Sequence, residues 1–219
     1  MSTRAGVATR VGAAGFEAAA GADAEVTADA DVELVVLLDD SGAPIGTADK
    51  RLVHGPDTPL HLAFSCYGFD ADGRMLLTRR SLAKRTWPGV WTNACCGHPA
   101  PGEDVEDAVV RRVRRELGVE PHDLRLVLPD FRYRAVAPDG TVEHEVCPVF
   151  VAELPTTLAP DPDEVLECAW VAPSAFLELA ETAPFLLSPW SVLQAAEFRR
   201  GSALTPIDPA SAFREPADH

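Results

Sequence analysis

Residues 104–117 constrain the fold of this chain more than any other stretch. Val105, Ala108, Val109, Val113 and Leu117 recur at i, i+3 and i+4 spacing, which gathers them on one face of an α-helix. Asp104, Glu106 and Asp107 stand at its start and Arg114 and Arg115 at its end, the arrangement that complements the helix dipole. Gly118 follows as a C-cap. A helix with one apolar stripe needs a surface to cover it. The runs around it supply one, because they read as strands.

VELVVLL (32–38) reads as a strand and DDSG (39–42) as its turn. HLAFSCYGF (61–69) is a second strand, and DADG (70–73) turns it into MLLTRR (75–80) as a hairpin. WTNACC (91–96) is a short extended piece. DLRLVLPDFRYRAV (123–136) holds one or two strands, APDG (137–140) turns, and TVEHEVCPVFVAEL (141–154) returns. CAWVA (168–172) adds another strand. APSAFLELA (172–180) and PWSVLQAAEFRR (189–200) read as helices opened by Ser and Pro. The expectation is an α/β (α+β) domain, a mixed sheet flanked by helices, over residues 31–200. Residues 1–30, rich in Ala and Gly, read as a flexible extension, and 201–219 as a loose tail.

The formal net charge of -15 argues against nucleic acid as a partner. Two local basic clusters break the acidic background: Arg79, Arg80, Lys84 and Arg85, then Arg111, Arg112, Arg114 and Arg115. They form either a solvated face or a site for a small anion. The five cysteines are odd in number and form no CxxC pair, which fits a reducing, cytoplasmic setting. No 18-residue apolar run marks a membrane span. The first residues lack the apolar core of a secretory signal.

VEHEV (142–146) carries the most local information. On a strand Glu143 and Glu145 point the same way. Two carboxylates on one face repel unless a cation sits between them, so the face is either polar and exposed or a metal site. His54, His61 and His98 fall near strand ends or loops. Three imidazoles with two carboxylates would suit Mn, Zn or Fe better than Mg or Ca. WPGVWTNACCGHP (87–99) sets Cys96 two residues before His98, so an extended backbone turns both to one side. One of Cys95 and Cys96 then faces the core. Arg112 and Glu116 are four apart on the helix, either a salt pair or a phosphate-binding arginine beside a metal-binding glutamate. Tyr133 and Trp190 read as core aromatics or as walls of an apolar pocket.

Together HLAFSCYGF, TRRSLAKRTWPGVWTNACCGHP, EDAVVRRVRRELGV, PDFRYRA, EHEVCPVF and SPW resemble the type 1 isopentenyl-diphosphate isomerases of the Nudix superfamily. The resemblance covers roughly residues 33–195 and implies a Nudix-like domain interconverting isopentenyl and dimethylallyl diphosphate. It implies that His54, His61, His98, Glu143 and Glu145 hold one divalent metal, Mn²⁺ or Zn²⁺. Glu116 would help hold Mg²⁺ on the diphosphate, with Lys50, Arg80, Lys84 and Arg112 gripping the substrate. Cys96, Glu145 and Tyr133 would move protons, and Trp190 would face the reacting carbon. The expected partner is this small prenyl diphosphate, and the expected state is a monomer or a dimer.

Nudix hydrolases follow a G-x5-E-x7-REUxEExGU pattern. Here the run begins at Gly97 and Glu103, but Arg112 and Arg115 replace two of its glutamates and only Glu116 remains of that helix trio. The replacement favours gripping a diphosphate over cleaving it. A Nudix-type diphosphate hydrolase and a non-catalytic metal-dependent diphosphate-binding protein are the competing readings.

Overall fold

The computed structural model describes residues 33–201, all within one compact unit. The expected N-terminal extension and nearly all of the expected C-terminal tail lie outside the described residues. In chain order the elements are β1 (Leu34–Leu38), β2 (Pro44–Asp49), α1 (Lys50–Val53), β3 (His61–Leu62), β4 (Phe64–Phe69), β5 (Met75–Arg80), β6 (Trp91–Thr92) and β7 (Cys95–Gly97). Then come α2 (Val105–Leu117), β8 (His122–Leu128), β9 (Arg132–Val136), β10 (Val142–Val146), β11 (Val149–Glu153), β12 (Val165–Val171), α3 (Pro173–Thr182) and α4 (Pro189–Arg199). The mixed sheet flanked by helices is the architecture expected from the pattern.

The strands form two sheets, in the orders β2-β1-β3-β10-β9 and β12-β5-β4-β11-β8. Two runs expected as single strands are each divided between them. The first breaks at Ala63 and the second at Cys147–Pro148. The breaks coincide because β3 runs parallel to β10 and β4 parallel to β11. Ala63 N donates to Val146 O at 2.9 Å and Ser65 N to Pro148 O at 3.1 Å, so the paired chains cross together. Pro148 has no N–H to continue a ladder. The expected hairpin of β4 with β5 closes only at Phe69 and Met75. Beyond that point β4 turns to β7 and β5 to β6 and β12.

All of β4 is buried because helices cover both faces of its sheet. Phe64 and Cys66 face α2, packing with Ala108, Val109, Val113 and Leu117. Tyr67 and Phe69 face the opposite way, packing with Phe176 of α3 and Phe198 of α4. Burying a side chain of this size contributes about 1.5–3 kcal/mol before entropy is subtracted. The Asp104 carboxylate caps α2 by accepting from Glu106 N at 2.9 Å. Gly118 ends it at φ 68°, in the left-handed region a glycine enters freely. A Cβ there would also stand 2.6 Å from Ala159 O. Among the described residues no helix is long and apolar enough to cross a membrane.

Candidate active site

The crossing from one sheet to the other leaves a cleft of about 310 Å³. Glu143 and Glu145 line it from β10 and Tyr133 from β9, while His61 of β3 is buried beside Glu145. His54 arrives from the end of α1, Cys96 and Gly97 from β7, His98 just beyond, Arg112 from α2 and Trp190 from α4.

His54, His61, His98 and Glu145 bring one ligand atom each within 4.8 Å of one another. His61 Nε2 and His98 Nε2 stand 3.5 and 3.3 Å from Glu145 Oε1. His61 Nδ1 is 2.9 Å from Pro59 O and His54 Nδ1 3.4 Å from Lys50 O. Each carbonyl accepts the Nδ1–H and leaves Nε2 as the lone-pair nitrogen. Both Nε2 atoms are buried without a hydrogen-bond partner. Orphaned imidazole nitrogens beside a carboxylate are the donor set a transition metal takes, so these residues fit a divalent ion. Burial holds His54 and His98 down to about 4, neutral as ligands should be. Burial opposes charge on Glu145, yet the imidazoles of His61 and His98 beside it hold its carboxyl well below the usual range.

Glu143 shares the face of Glu145, as the strand period requires, but stands outside the group of four. The hydroxyl of Tyr133 lies 2.7 Å from Glu143 Oε2 and 2.9 Å from Glu145 Oε2. Burial, then the charge of Glu145, pushes the Glu143 carboxyl upward.

The mouth of the cleft is basic, lined by Lys50, Arg51, Arg80, Lys84, Arg85 and Arg112. Both basic clusters of the sequence thus contribute. Lys50 Nζ donates to Glu33 Oε1 at 2.9 Å. Arg112 pairs with Glu116, the bond expected four residues apart on one helix face, and both side chains are buried. Glu116 stands behind Arg112 rather than on the cleft wall. Lys84 pairs with Glu164, which Arg112 Nη2 also approaches at 3.5 Å. Burial pulls the Lys84 ammonium down to about 8. Arg80 spends two of its nitrogens on the loop, donating to Thr86 O at 2.8 Å and Trp87 O at 3.2 Å. Its guanidinium carbon lies 5.4 Å from the Trp190 ring centre. Arg115 lies outside, on the exposed side of α2.

The inner end is apolar. Tyr133, Trp190, Ala63 and Cys147 are buried together, with Trp87, Phe131 and Cys96 packed against them. Cys96 Sγ donates to Asn93 Oδ1 at 3.1 Å and lies 3.5 Å from Ser65 Oγ. Burial pushes its thiol up to about 12, so it carries its proton. Cys95 is in the core against α2.

Sequence reasoning missed three residues here. Asn93 and Ser65 lie inside the WTNACC and HLAFSCYGF runs, and Glu164 in a loop outside every motif. A buried polar residue inside an apolar strand was the one available signal, and it applied to Asn93 and Ser65 alone.

Residues 59–190 match the NUDIX domain family. An isopentenyl-diphosphate Delta-isomerase of Paenarthrobacter aurescens is 55% identical over 172 residues, covering 78% of this chain and 94% of that one. Another, of Mycolicibacterium vanbaalenii, is 61% identical over 162 residues, covering 74% of this chain and 89% of that one. A crystallised protein of Deinococcus radiodurans shares the fold at TM-score 0.56 and 16% identity, over 75% of this chain and 98% of that one. The NUDIX match and the identity to these isomerases, over most of their length, agree: the chain belongs to the isopentenyl-diphosphate Delta-isomerase family, within the NUDIX-domain fold.

Proposed function

We propose that this protein interconverts isopentenyl diphosphate and dimethylallyl diphosphate in the cleft between its sheets. One observation carries the reading. A basic mouth opens onto a buried aromatic end that holds a protonated thiol, and a carboxylate–phenol pair lines the same cleft. The substrate fits that polarity, with an anionic tail and a small alkene.

Moving the double bond adds a proton at C4 and removes one from C2, through a tertiary cation at C3. Cys96 and the Glu145–Tyr133 pair are the two proton-transfer groups. The reaction is reversible, so each group donates in one direction and accepts in the other. Trp190 offers its ring to the C3 cation, worth about 2 kcal/mol when desolvated. Its neighbours Trp87 and Phe131 keep out the water that would capture the cation.

Lys50, Arg80, Lys84 and Arg112 grip the diphosphate. Arg112 and Arg115, standing where hydrolases place glutamates, favour retention of the diphosphate over its cleavage. His54, His61, His98 and Glu145 would hold a divalent ion that we assign as Mn²⁺ or Zn²⁺, with Glu143 beside them as an outer partner bonded to Tyr133. Bound there, the ion supplies positive charge that fixes Glu145. Glu116, paired with Arg112 behind the cleft wall, would help hold a Mg²⁺ that supplies positive charge for the diphosphate. Five unpaired cysteines support a cytoplasmic setting.

Proton NMR of isopentenyl diphosphate incubated with the protein and Mg²⁺ tests the proposal. Allylic product with the diphosphate intact is expected. Released phosphate would point to a hydrolase, and an unchanged spectrum in metal-loaded protein would refute isomerisation.

A further inference from the structure

Asn93 sits between β6 and β7 with no exposure to solvent. Its amide is engaged on both sides. Nδ2 donates to Cys66 O at 3.0 Å and to Cys95 O at 2.7 Å. These two carbonyls fix which way round the amide lies, since an oxygen there would meet two acceptors. Oδ1 is thereby turned to the cleft side. There it accepts from Trp190 Nε1 at 3.1 Å and from Cys96 Sγ at 3.1 Å. The hydroxyl of Thr92 adds a contact at 2.8 Å. An indole N–H can only donate, so the flipped amide would leave Trp190 unsatisfied as well.

One oxygen atom therefore holds both the thiol and the aromatic ring. Neither strand nor helix alone could do so, because Cys96 lies on β7 and Trp190 on α4. We propose that Asn93 is a positioning residue for the isomerisation, locking the Cys96 thiol and the Trp190 ring onto the same few atoms of substrate. The inference rests on the isomerase reading above. The thiol must reach the carbon at which it exchanges a proton, C4 or C2, and the ring must face C3, so the two have to be placed to within a bond length. Misplacement by about 1 Å can cost 10²-fold in rate. Asn93 bonds none of the basic residues of the diphosphate grip, and only Arg80, over the Trp190 ring, feels it at second hand.

Steady-state kinetics of Asn93→Ala in the metal-loaded enzyme gives the test. The expected result is a kcat about 30- to 100-fold lower, with KM within about twofold of wild type. In a Trp190→Phe background, where the indole N–H is already gone, the same substitution should cost measurably less. Equal losses in both backgrounds, or a KM rising as far as kcat falls, would overturn the proposal. Should Asn93→Ala fail to fold, the Trp190 indole proton of the wild-type protein decides. The bond itself is read without turnover. The Trp190 indole proton should resonate downfield in wild type and move upfield in Asn93→Ala. A free-indole shift in wild type refutes the geometry even if the protein isomerises nothing, which separates this failure from failure of the functional reading.

Discussion

Tyr133 and Glu145 are direct cross-strand partners on β9 and β10, and the phenol hydroxyl donates to Glu145 Oε2 at 2.9 Å. The same oxygen lies 2.7 Å from Glu143 Oε2. A phenol has one proton, so it ties the two carboxylates together only by sharing. Tyr133→Phe keeps the ring against Trp190 and removes that bridge. It should lower kcat by about 10–100-fold, the low end for a lost proton-transfer partner. KM and metal content should stay within about twofold of wild type. Metal loss in parallel with activity would mean that Tyr133 supports the metal ligands instead.

Cys96→Ala is expected to remove turnover by at least about 10²–10⁴-fold, since one of the two proton-transfer groups is gone. The four ligands grouped at the metal site do not include its sulfur. Metal content by elemental analysis should therefore stay near wild type. A fully active variant would refute the assigned role.

The ligand set divides by geometry. His98 lies in the group of four whose atoms converge, whereas the Glu143 carboxylate faces Tyr133. His98→Ala should weaken metal binding by more than about 100-fold and leave the dialysed protein nearly metal-free. Glu143→Gln should weaken it less, within the roughly 10–100-fold range of an outer partner. Equal losses, measured by competition with a chelator, would make Glu143 a full ligand.

Lys84 gives a pH signature. Burial lowers its ammonium to about 8 in the free protein, and Arg80, Arg112 and Lys50 add like charge against the pull of Glu116. A bound diphosphate favours the charged form and raises that value. Binding therefore takes up a proton above pH 8. Apparent affinity should fall as pH rises through 8, by up to tenfold per pH unit. Lys84→Arg stays charged throughout and should flatten this limb. An identical profile in the two proteins, read as KM from pH 7.5 to 9.5, would exclude Lys84 as its source.

The sequence was most legible where a period carried the chemistry. The stripe from Val105 to Leu117 gave α2 and the side on which Arg112 and Glu116 would lie. The alternation of VEHEV put Glu143 and Glu145 on one face. Less legible was the crossing between sheets, because Ala63 and Cys147 are as apolar as their neighbours and the pattern runs through the break. Only Pro148 marked it. The edge strand β2 was missed because PIGTAD is mostly exposed and has no alternation to detect. Glu164 sits in a loop whose sequence says nothing about the cations it meets, Lys84 and Arg112, across the fold. Contacts of that kind exist only once the sheets have formed.

Gly97 shows how tightly the mouth of the cleft is built. A Cβ on it would stand 2.9 Å from Arg112 Cγ and 3.0 Å from Phe64 Cζ. Phe64 is fixed in the core beneath α2, so the side chain free to yield is Arg112. Gly97→Ala should therefore push the guanidinium away from Glu116 and out of register with the diphosphate. The expected result is a KM raised about tenfold, the loss of one charge-assisted bond, with kcat changed less. Overpacking should also cost about 1–3 kcal/mol of stability, read from denaturant unfolding. Unchanged KM with lowered stability would mean that Phe64 moved instead, leaving Arg112 where it is.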